Sequence, residues 1–522
     1  MSGFLDVLLR GIGLASQAVA VGGVFFVALV LRPAGVAPVT LRPLVARSLA
    51  LVITGTVGVA AAQALALFIQ LESLADERGW PISGVVGTTY FRVSLVRLLL
   101  SATLALGSVM VLRGRAGRWV WPALIAIAVG LAVSAAGMSH AMARLDDRTL
   151  LIALDALHQL AAAVWVGGLA HLTLAAYRNN GTPWPAAVLT RFSSIAFAAV
   201  ATLIAAGAAL SVQYVDDVPG LIGTSYGVMV ITKVVILAGL LLLAAMNFAA
   251  VRRVARGADV ALLRVRRFAE VELALGLTVL FIAASLTSLP PAVDVADRAT
   301  LLEVSARFAP QWPRLRSPAI DELPVGDREA PRTAEDRAWS EYNHHMAGFF
   351  VLAMGLLATV QRARWGRWAR HWPLVFLGLA GFLLVRNDPG AWPLGPLGFW
   401  ESMAYPEVLQ HRLFVLLVVA FGLFEWMVRA GHVRSRGAAL VFPLLCGVGG
   451  SLLLTHSHAM ADLRAEFLIE VTHAPLGVLG LLAGWARWLE LRLPPPDDRL
   501  PGRVWAWAFS LVGVLLILYR ES

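Results

Sequence analysis

Long apolar runs, one after another along the whole chain, constrain this sequence more than any other feature. A run of about 20 apolar residues is long enough to cross the hydrocarbon core of a bilayer as a helix. Backbone exposed to lipid must satisfy its own hydrogen bonds, and the alternation typical of barrel strands is absent from the sequence. We therefore predict an all-α, polytopic integral membrane protein with about 14 transmembrane helices in an 8 + 6 arrangement. The runs lie at about 10–31, 46–70, 92–113, 118–138, 150–176, 188–211, 228–250, 266–289, 343–361, 371–386, 411–430, 437–455, 465–488 and 503–519.

The net charge of +10 is distributed in a way that is typical of membrane topology rather than of nucleic-acid binding. Arginines are concentrated in alternate loops, among them 113–118, 252–267 and 362–370, and the positive-inside rule places these loops in the cytoplasm. An even number of helices then puts both termini on the outer side. No cleavage-site pattern follows the first apolar run, so we predict that it is retained as a helix.

One long polar stretch, at about 291–342, interrupts the helices after the eighth run. Its apolar residues are too sparse to form a core of their own. The sequence therefore predicts an eight-helix membrane domain at 1–292, a periplasmic linker at 293–342 and a six-helix, histidine-rich membrane domain at 343–522.

A polar segment rich in His and Met, here called the repeated phrase, occurs twice in the sequence. Met138–Leu145 and His456–Leu463 share six of eight residues, and each closes a predicted helix on the outer side. In the helix that follows, an acid precedes a histidine by three residues: Asp155 and His158 in one case, Glu470 and His473 in the other. Residues at i and i+3 share a helix face. The two halves are thus interpreted as degenerate copies of one site-bearing unit.

Histidine and methionine gather on the outer side, and these donors suit copper. With Cys446 as the single cysteine, disulfides and Cys-based metal sites are excluded. Ionisable groups inside a membrane are costly and tend to mark function. The inner histidines, His171, His371 and His432, are expected to be solvated. The predicted metal-binding residues are His140, Met142, Asp155, His158, His344, His345, His411, His456, His458, Met460, Glu470 and His473, with Met138 as a further functional residue.

Four consecutive segments carry a resemblance to a known family. LDALHQLAAAVWVGGLAHL, RFSSIAFAAVATLIAAGAAL, SYGVMVITKVVILAGLLLLAAMN and VELALGLTVLFIAASLTSLPP cover about 150–292. Their order and spacing resemble those of the CopD family of copper resistance and copper uptake membrane proteins. The preceding four helices are consistent with it, so the resemblance extends over about 1–292.

The resemblance implies a multi-pass protein of the bacterial inner membrane that handles periplasmic copper. Such a protein moves copper toward the cytoplasm or passes it to a partner such as a periplasmic copper chaperone. His158, Trp165, Lys233 and Glu272 match positions of the family motif. For Lys233 the sequence leaves two readings, snorkelling to the outer surface or pairing with a carboxylate such as Asp155. Glu272 is expected to pair with Arg266 or Arg267.

Two other functions stay open at this point. Histidines on four helices of the second half also suit a membrane cytochrome that holds haem b between two imidazoles. A scaffold without metal is the third reading. No Walker motif is present in the sequence, so we do not expect the chain to hydrolyse ATP. The alternation of Met and His in the repeated phrase suits the entry of a metal ion better than haem, so we expect a copper-binding transport or delivery protein and not an enzyme.

Overall fold

The computed structural model describes residues 2–78, 84, 86–115, 117–177, 185–257, 260–323, 333–455 and 463–521. Their contacts divide the chain into two compact units, which are described separately. The first unit comprises Met1–Leu221, Tyr226–Ala296 and Thr455–Ser457, and the second comprises Ile222–Ser225, Asp297–Leu454 and His458–Ser522.

The regular structure of the described residues is helical, with no strand. Thirteen of the helical segments are long and apolar enough to cross a membrane, and the helix Val120–Ala136 is a shorter apolar one. Together they coincide with the fourteen apolar runs, so the prediction of an all-α polytopic membrane protein is confirmed.

Within the described residues, the first unit contains ten helices, two of which run on into a π turn. They are α1 (Ser2–Phe25, continued by the π turn Phe26–Leu31), α2 (Pro38–Arg78), α3 (Thr89–Leu112), α4 (Val120–Ala136), α5 (Arg148–Ala162, continued by the π turn Ala163–Gly167), α6 (Gly168–Tyr177), α7 (Ala186–Tyr214), α8 (Val218–Ile222), α9 (Ser225–Ala255) and α10 (Val260–Leu286).

Close backbone contact fixes α1 against the π turn that follows α5. A Cβ atom added at Gly167 would lie 1.8 Å from the carbonyl oxygen of Ala18, and one added at Gly22 would lie 2.2 Å from that of Ala163. Only glycine permits such an approach, which is how small residues bring membrane helices together. The result is a rigid centre for the first unit.

The second unit contains the remaining helices. They are α11 (Leu301–Phe308), α12 (Ala334–Val360), α13 (Val375–Arg386, preceded by the 3₁₀ segment Arg364–Leu374), α14 (Phe399–Ser402), α15 (Pro406–Ala430), α16 (Val441–Thr455), α17 (Leu463–Arg492) and α18 (Arg499–Ile517).

An aromatic cluster around a buried ion pair forms the core of the second unit. Arg429 Nε donates to Glu425 Oε1 at 2.6 Å, and the guanidinium lies 4.7 Å from the ring centre of Trp372. Trp372, Phe442 and Trp505 are almost fully buried around it. The aromatic faces and the carboxylate offset the cost of burying this cation.

Candidate metal-handling sites

A cavity of about 580 Å³ lies within the first unit. Its wall is mostly apolar, so the few polar side chains on it determine what it can bind. Six of the sequence-predicted functional residues line this cavity: Met138, His140, Asp155, His158, Trp165 and Lys233.

His158 is held against the neighbouring helix α7. Its Nδ1 lies 3.0 Å from the carbonyl oxygen of Leu203 and must donate, because a carbonyl only accepts. The ring rests on Gly207, where an added Cβ would lie 2.9 Å from Cε1. Nε2 is therefore left as the unprotonated nitrogen, which is the state that binds a metal.

Asp155, one turn before His158, begins a chain of hydrogen bonds through the first unit. Gln159 Nε2 donates to Asp155 Oδ2 at 3.1 Å, and Gln17 Nε2 donates to Gln159 Oε1 at 3.4 Å. Arg97 Nη2 then donates to Gln17 Oε1 at 3.0 Å. The chain fixes the orientation of the carboxylate in the cavity.

Arg97 is a buried cation whose hydrogen-bond partners among the described residues are all neutral. Its Nε donates to Gln63 Oε1 at 3.1 Å, and its Nη1 reaches the carbonyl oxygen of Leu131 and Ser134 Oγ, each at 3.3 Å. A charge at this position is expensive, and intramembrane charges of this kind line ion pathways more often than they stabilise a fold.

His140 lies among aromatic rings at one end of the same cavity. It is on a 3₁₀ turn, His140–Ala143, that Ser139 caps by accepting from the amide of Ala141. Its ring centre is 6.3 Å from those of Tyr214 and Tyr226. Burial lowers the pKa of His140 below its usual value, which keeps the imidazole neutral and able to bind a cation near neutral pH.

Lys233 also lines the cavity, where it interacts electrostatically with both Asp155 and His158. Lys233 and Asp155 line the same cavity, but no ion pair between them is found among the described residues, so the pairing stays a prediction. Trp165 lies on the π turn after α5 and is buried at the cavity wall. Met142 is partly buried and does not belong to the residues that line the cavity.

Two expectations about polar residues of the first unit are wrong. Glu272 is buried and accepts a hydrogen bond from Asn247 Nδ2 at 2.7 Å, while Glu270 takes Arg266 and Arg267 as partners. On a helix, residues 270 and 272 point in different directions, and only the former faces the arginines.

His171 is the second wrong expectation, since it is not solvated but completely buried. Its Nε2 donates to the carbonyl oxygen of Val19 at 2.8 Å, and its ring stacks on Phe26 at 5.9 Å between centres. Satisfying that carbonyl explains why an imidazole can be buried here. His371 and His432 are exposed, as expected.

Two histidines of the second unit meet across helices. His344 on α12 and His473 on α17 have ring centres 5.9 Å apart at an interplanar angle of 80°. Nδ1 of each lies 2.8 Å from a carbonyl oxygen one turn earlier in its own helix, that of Ser340 and of Ile469 respectively, and donates to it. Nε2 is the remaining nitrogen in both rings.

Tyr519 completes this pair. Its ring stacks on His344 with centres 3.9 Å apart and meets His473 edge-on at 5.6 Å. The phenol donates to Glu521 Oε1 at 2.7 Å, and Ser340 Oγ donates to the same oxygen at 2.5 Å. Negative charge thus lies close to the two imidazoles.

His345 has both ring nitrogens engaged. The amide of Arg314 donates to Nδ1 at 2.8 Å, and Nε2 donates to the carbonyl oxygen of Tyr519 at 2.8 Å. No nitrogen of this ring is left for a metal, and its contacts fix the segment around Tyr519. His411 lies apart from this group in its contacts, since its Nδ1 bonds Asp388 Oδ1 at 2.7 Å.

The remaining predicted ligands fall into two groups. Glu470 is a partly buried residue one turn before His473 on α17. His456, His458 and Met460 lie outside the described residues. Within the described ranges, no three His, Cys, Asp or Glu side chains come together closely enough to hold a metal ion. The metal prediction for these residues stays a prediction.

Sequence reasoning did not find the partners that shape both sites. Tyr214 and Tyr226 frame His140, Arg97 holds the polar chain to Asp155, and Tyr519 packs against both His344 and His473. The signal available for Arg97 was an arginine well inside a predicted helix, away from the basic loops. Tyrosines near a predicted outer surface resemble ordinary interfacial residues, so they gave no signal.

Comparison with known proteins agrees with the resemblance seen in the sequence. Residues 186–286, which cover α7 to α10, match the family model described as copper resistance protein D. The chain is also similar to the copper transport protein CutJ of Bacillus subtilis (strain 168), at 28% identity over 257 residues. That similarity covers 46% of this chain and 45% of the relative, so less than half of the relative is represented. No solved structure matches.

Proposed function

We propose that this CopD-type membrane protein takes up copper on the outer side of a bacterial inner membrane and passes it through the cavity of its first unit. One observation carries the proposal: imidazole, thioether and carboxylate donors from separate elements line a single cavity. Soft and intermediate donors of this kind suit copper in either oxidation state. The name of the Bacillus subtilis relative and the match to copper resistance protein D support the same ion.

In this proposal, His140 and Met138 receive the ion at the cavity end framed by Tyr214 and Tyr226. His158 then binds it through Nε2, and Asp155 offsets its charge. Because Lys233 already interacts with Asp155, an arriving cation competes with the ammonium for that carboxylate. Such competition weakens binding, and an ion that must leave again requires weak, sequential sites.

The orientation follows the arginine-rich loops, with both termini in the periplasm. The ion is supplied as free copper or by a periplasmic copper chaperone, and its movement is toward the cytoplasm. The protein acts as a carrier and has no catalytic residues in this proposal.

Substitution of His158 by Asn tests the cavity directly. Asn keeps an N–H that can donate to Leu203 and removes Nε2, so we expect a folded protein whose first unit binds Cu⁺ much more weakly. The loss should at least equal the ~10–100-fold that removal of a group supporting a ligand causes. Equilibrium titration of the purified protein with Cu⁺ against a competing chelator measures it.

The exposed His432 provides the matched control, since His432→Asn removes an imidazole that is not among the residues lining the cavity. An unchanged first-unit affinity in His158→Asn would contradict the proposal, as would an equal loss in His432→Asn.

A further inference from the structure

The histidine pair of the second unit has the features of a separate ion-binding site. His344 and His473 come from helices that are distant in sequence, yet their rings lie 5.9 Å apart. A first-row metal–nitrogen bond spans about 2.0–2.1 Å, so two imidazoles that share one ion through Nε2 have ring centres roughly 6 Å apart. The observed separation between ring centres is close to this value.

Both rings are also held in the tautomer that a metal requires. Each Nδ1 donates to the carbonyl oxygen one turn earlier, so each Nε2 carries the lone pair. A hydrogen bond at the other ring nitrogen is the usual way in which proteins orient an imidazole ligand and raise its basicity. The same arrangement at two adjacent histidines is difficult to explain by packing alone.

The surroundings favour a small ion over a macrocycle. Tyr519 stacks on His344 and meets His473 edge-on, so the three rings fill the space around one another. A haem between the two imidazoles would have to displace Tyr519, whose phenol is bonded to the buried Glu521. A single ion needs only the two Nε2 atoms within bonding distance.

We propose that His344 and His473 bind a single cuprous ion through their Nε2 atoms, as a copper site separate from the cavity of the first unit. The proposal rests on the proposed function only for the identity of the ion. Neutral donors in a buried site favour the singly charged ion, because the cost of burying charge rises with its magnitude. The carboxylate of Glu521, one hydrogen bond beyond Tyr519, partly offsets that charge.

The test uses the full-length protein with His344→Asn, His473→Asn and the double variant, each titrated with Cu⁺ under anaerobic conditions. Asn preserves the donor to the helix carbonyl and removes Nε2. We expect each single variant to lose the second-unit site, and the double variant to lose no more than either single one, because both residues bind the same ion. Additive losses, or unchanged binding, would overturn the proposal.

His432→Asn is the matched control here too, because His432 is an exposed histidine of the second unit that was expected to be solvated. It should bind Cu⁺ as the wild type does. X-ray absorption of the copper-loaded His158→Asn protein provides a measurement without any change in the second unit. It should show two nitrogen neighbours, and a sulfur-dominated spectrum would overturn the assignment.

The outcomes also separate this proposal from the one for the first unit. If only His158→Asn loses Cu⁺ binding, the result supports the cavity proposal and contradicts the one for the histidine pair. If only the His344 and His473 variants lose it, the result supports the histidine pair and contradicts the cavity proposal. A Soret band in the purified protein that disappears in His344→Asn would show that these histidines bind haem and not a copper ion.

Discussion

His158 and His473 lie at the same position in their helices but in two different environments. Each is ten residues beyond the first residue of its helix, Arg148 and Leu463 respectively, and each follows an acid by three residues. In the first unit the imidazole donates to a neighbouring helix and borders an open cavity. In the second it donates within its own helix and meets two aromatic rings.

The difference is explained by what lies opposite. Gly207 leaves room on α7 for the His158 ring to reach the Leu203 carbonyl. Around His473, the space is taken by His344 and Tyr519, so Nδ1 turns back to its own helix. The repeated phrase therefore specifies which face carries the histidine, while the neighbouring helix decides whether the site is an open passage or a closed pair.

The largest effect is expected from two glycines that follow the histidines along the chain, Gly167 after His158 and Gly477 after His473. A Cβ at Gly167 would lie 1.8 Å from a backbone oxygen, whereas one at Gly477 would first meet the side chain of Leu454 at 2.6 Å. A side chain can turn aside and a buried helix backbone cannot. We expect Gly167→Ala to lower the free energy of unfolding by about 1–3 kcal/mol or more, and Gly477→Ala to cost less.

Thermal unfolding of the two variants in one detergent measures this difference. Gly239→Ala is the control, because nothing lies within 4 Å of the added methyl. Ala is the better helix former, so this variant should be at least as stable as the wild type. Equal losses for Gly167→Ala and Gly477→Ala would show that the two helix crossings do not differ in rigidity.

Gly207→Ala sharpens the comparison at the ligand itself. The new methyl would lie 2.9 Å from His158 Cε1 and 3.2 Å from Nδ1, so the ring must leave Leu203. We expect the first unit to bind Cu⁺ about 10–100-fold more weakly, as happens when a group supporting a ligand is lost. Stability should change little, because the gain in helix propensity of roughly 1 kcal/mol offsets the loss of one hydrogen bond of similar size. Titration in a His473→Asn background isolates the first unit, and wild-type affinity there would refute the role given to Gly207.

The smallest effect concerns the arginines that fix the ends of the two units. Arg144 pairs with Asp294 at 2.9 Å in the first unit, and Arg464 pairs with Asp297 and Glu303 in the second. The backbone amide of Thr300, followed by Arg464, lowers the pKa of Glu303 to about 2. A depressed folded-state pKa means that this contribution is present above the usual Glu range and lost as the pH falls toward 2.

Arg464→Gln should raise the titration midpoint of Glu303 only partway to its ordinary value, because the Thr300 amide still donates. Site-selective carbon-13 labelling of Glu and an NMR pH titration would follow it. A midpoint that does not move would mean that Arg464 does not contribute to the low pKa of Glu303.

Sequence alone gave the helices and the shared face of Asp155 and His158, because hydrophobic run length and the i, i+3 relation are local properties. It also predicted that His140, at the outer lip, and His158, deeper in the following helix, belong to one site, and both residues line the same cavity. What it missed depends on packing between distant segments. Glu272 and Glu270 are two residues apart, and only the position of α9 decides which of them meets Asn247.

His345 shows the same limit more sharply. It is adjacent to His344 and was predicted as a ligand with it, but a helix turns neighbouring residues about 100° apart. One ring therefore faces His473, and the other is enclosed between Arg314 and the Tyr519 carbonyl. No pattern in the sequence distinguishes the two, since both lie in one HH pair.

The π turn at Ala163–Gly167 accommodates one residue more than a regular α-helical turn. It therefore resets the helical phase between His158 and His171, so that one continuous segment directs the first imidazole to a cavity and the second to the Val19 carbonyl on α1. Removing a single residue from it would rotate everything beyond by about 100° relative to everything before. A change in the length of this turn should therefore disturb the first unit more than most side-chain substitutions within it.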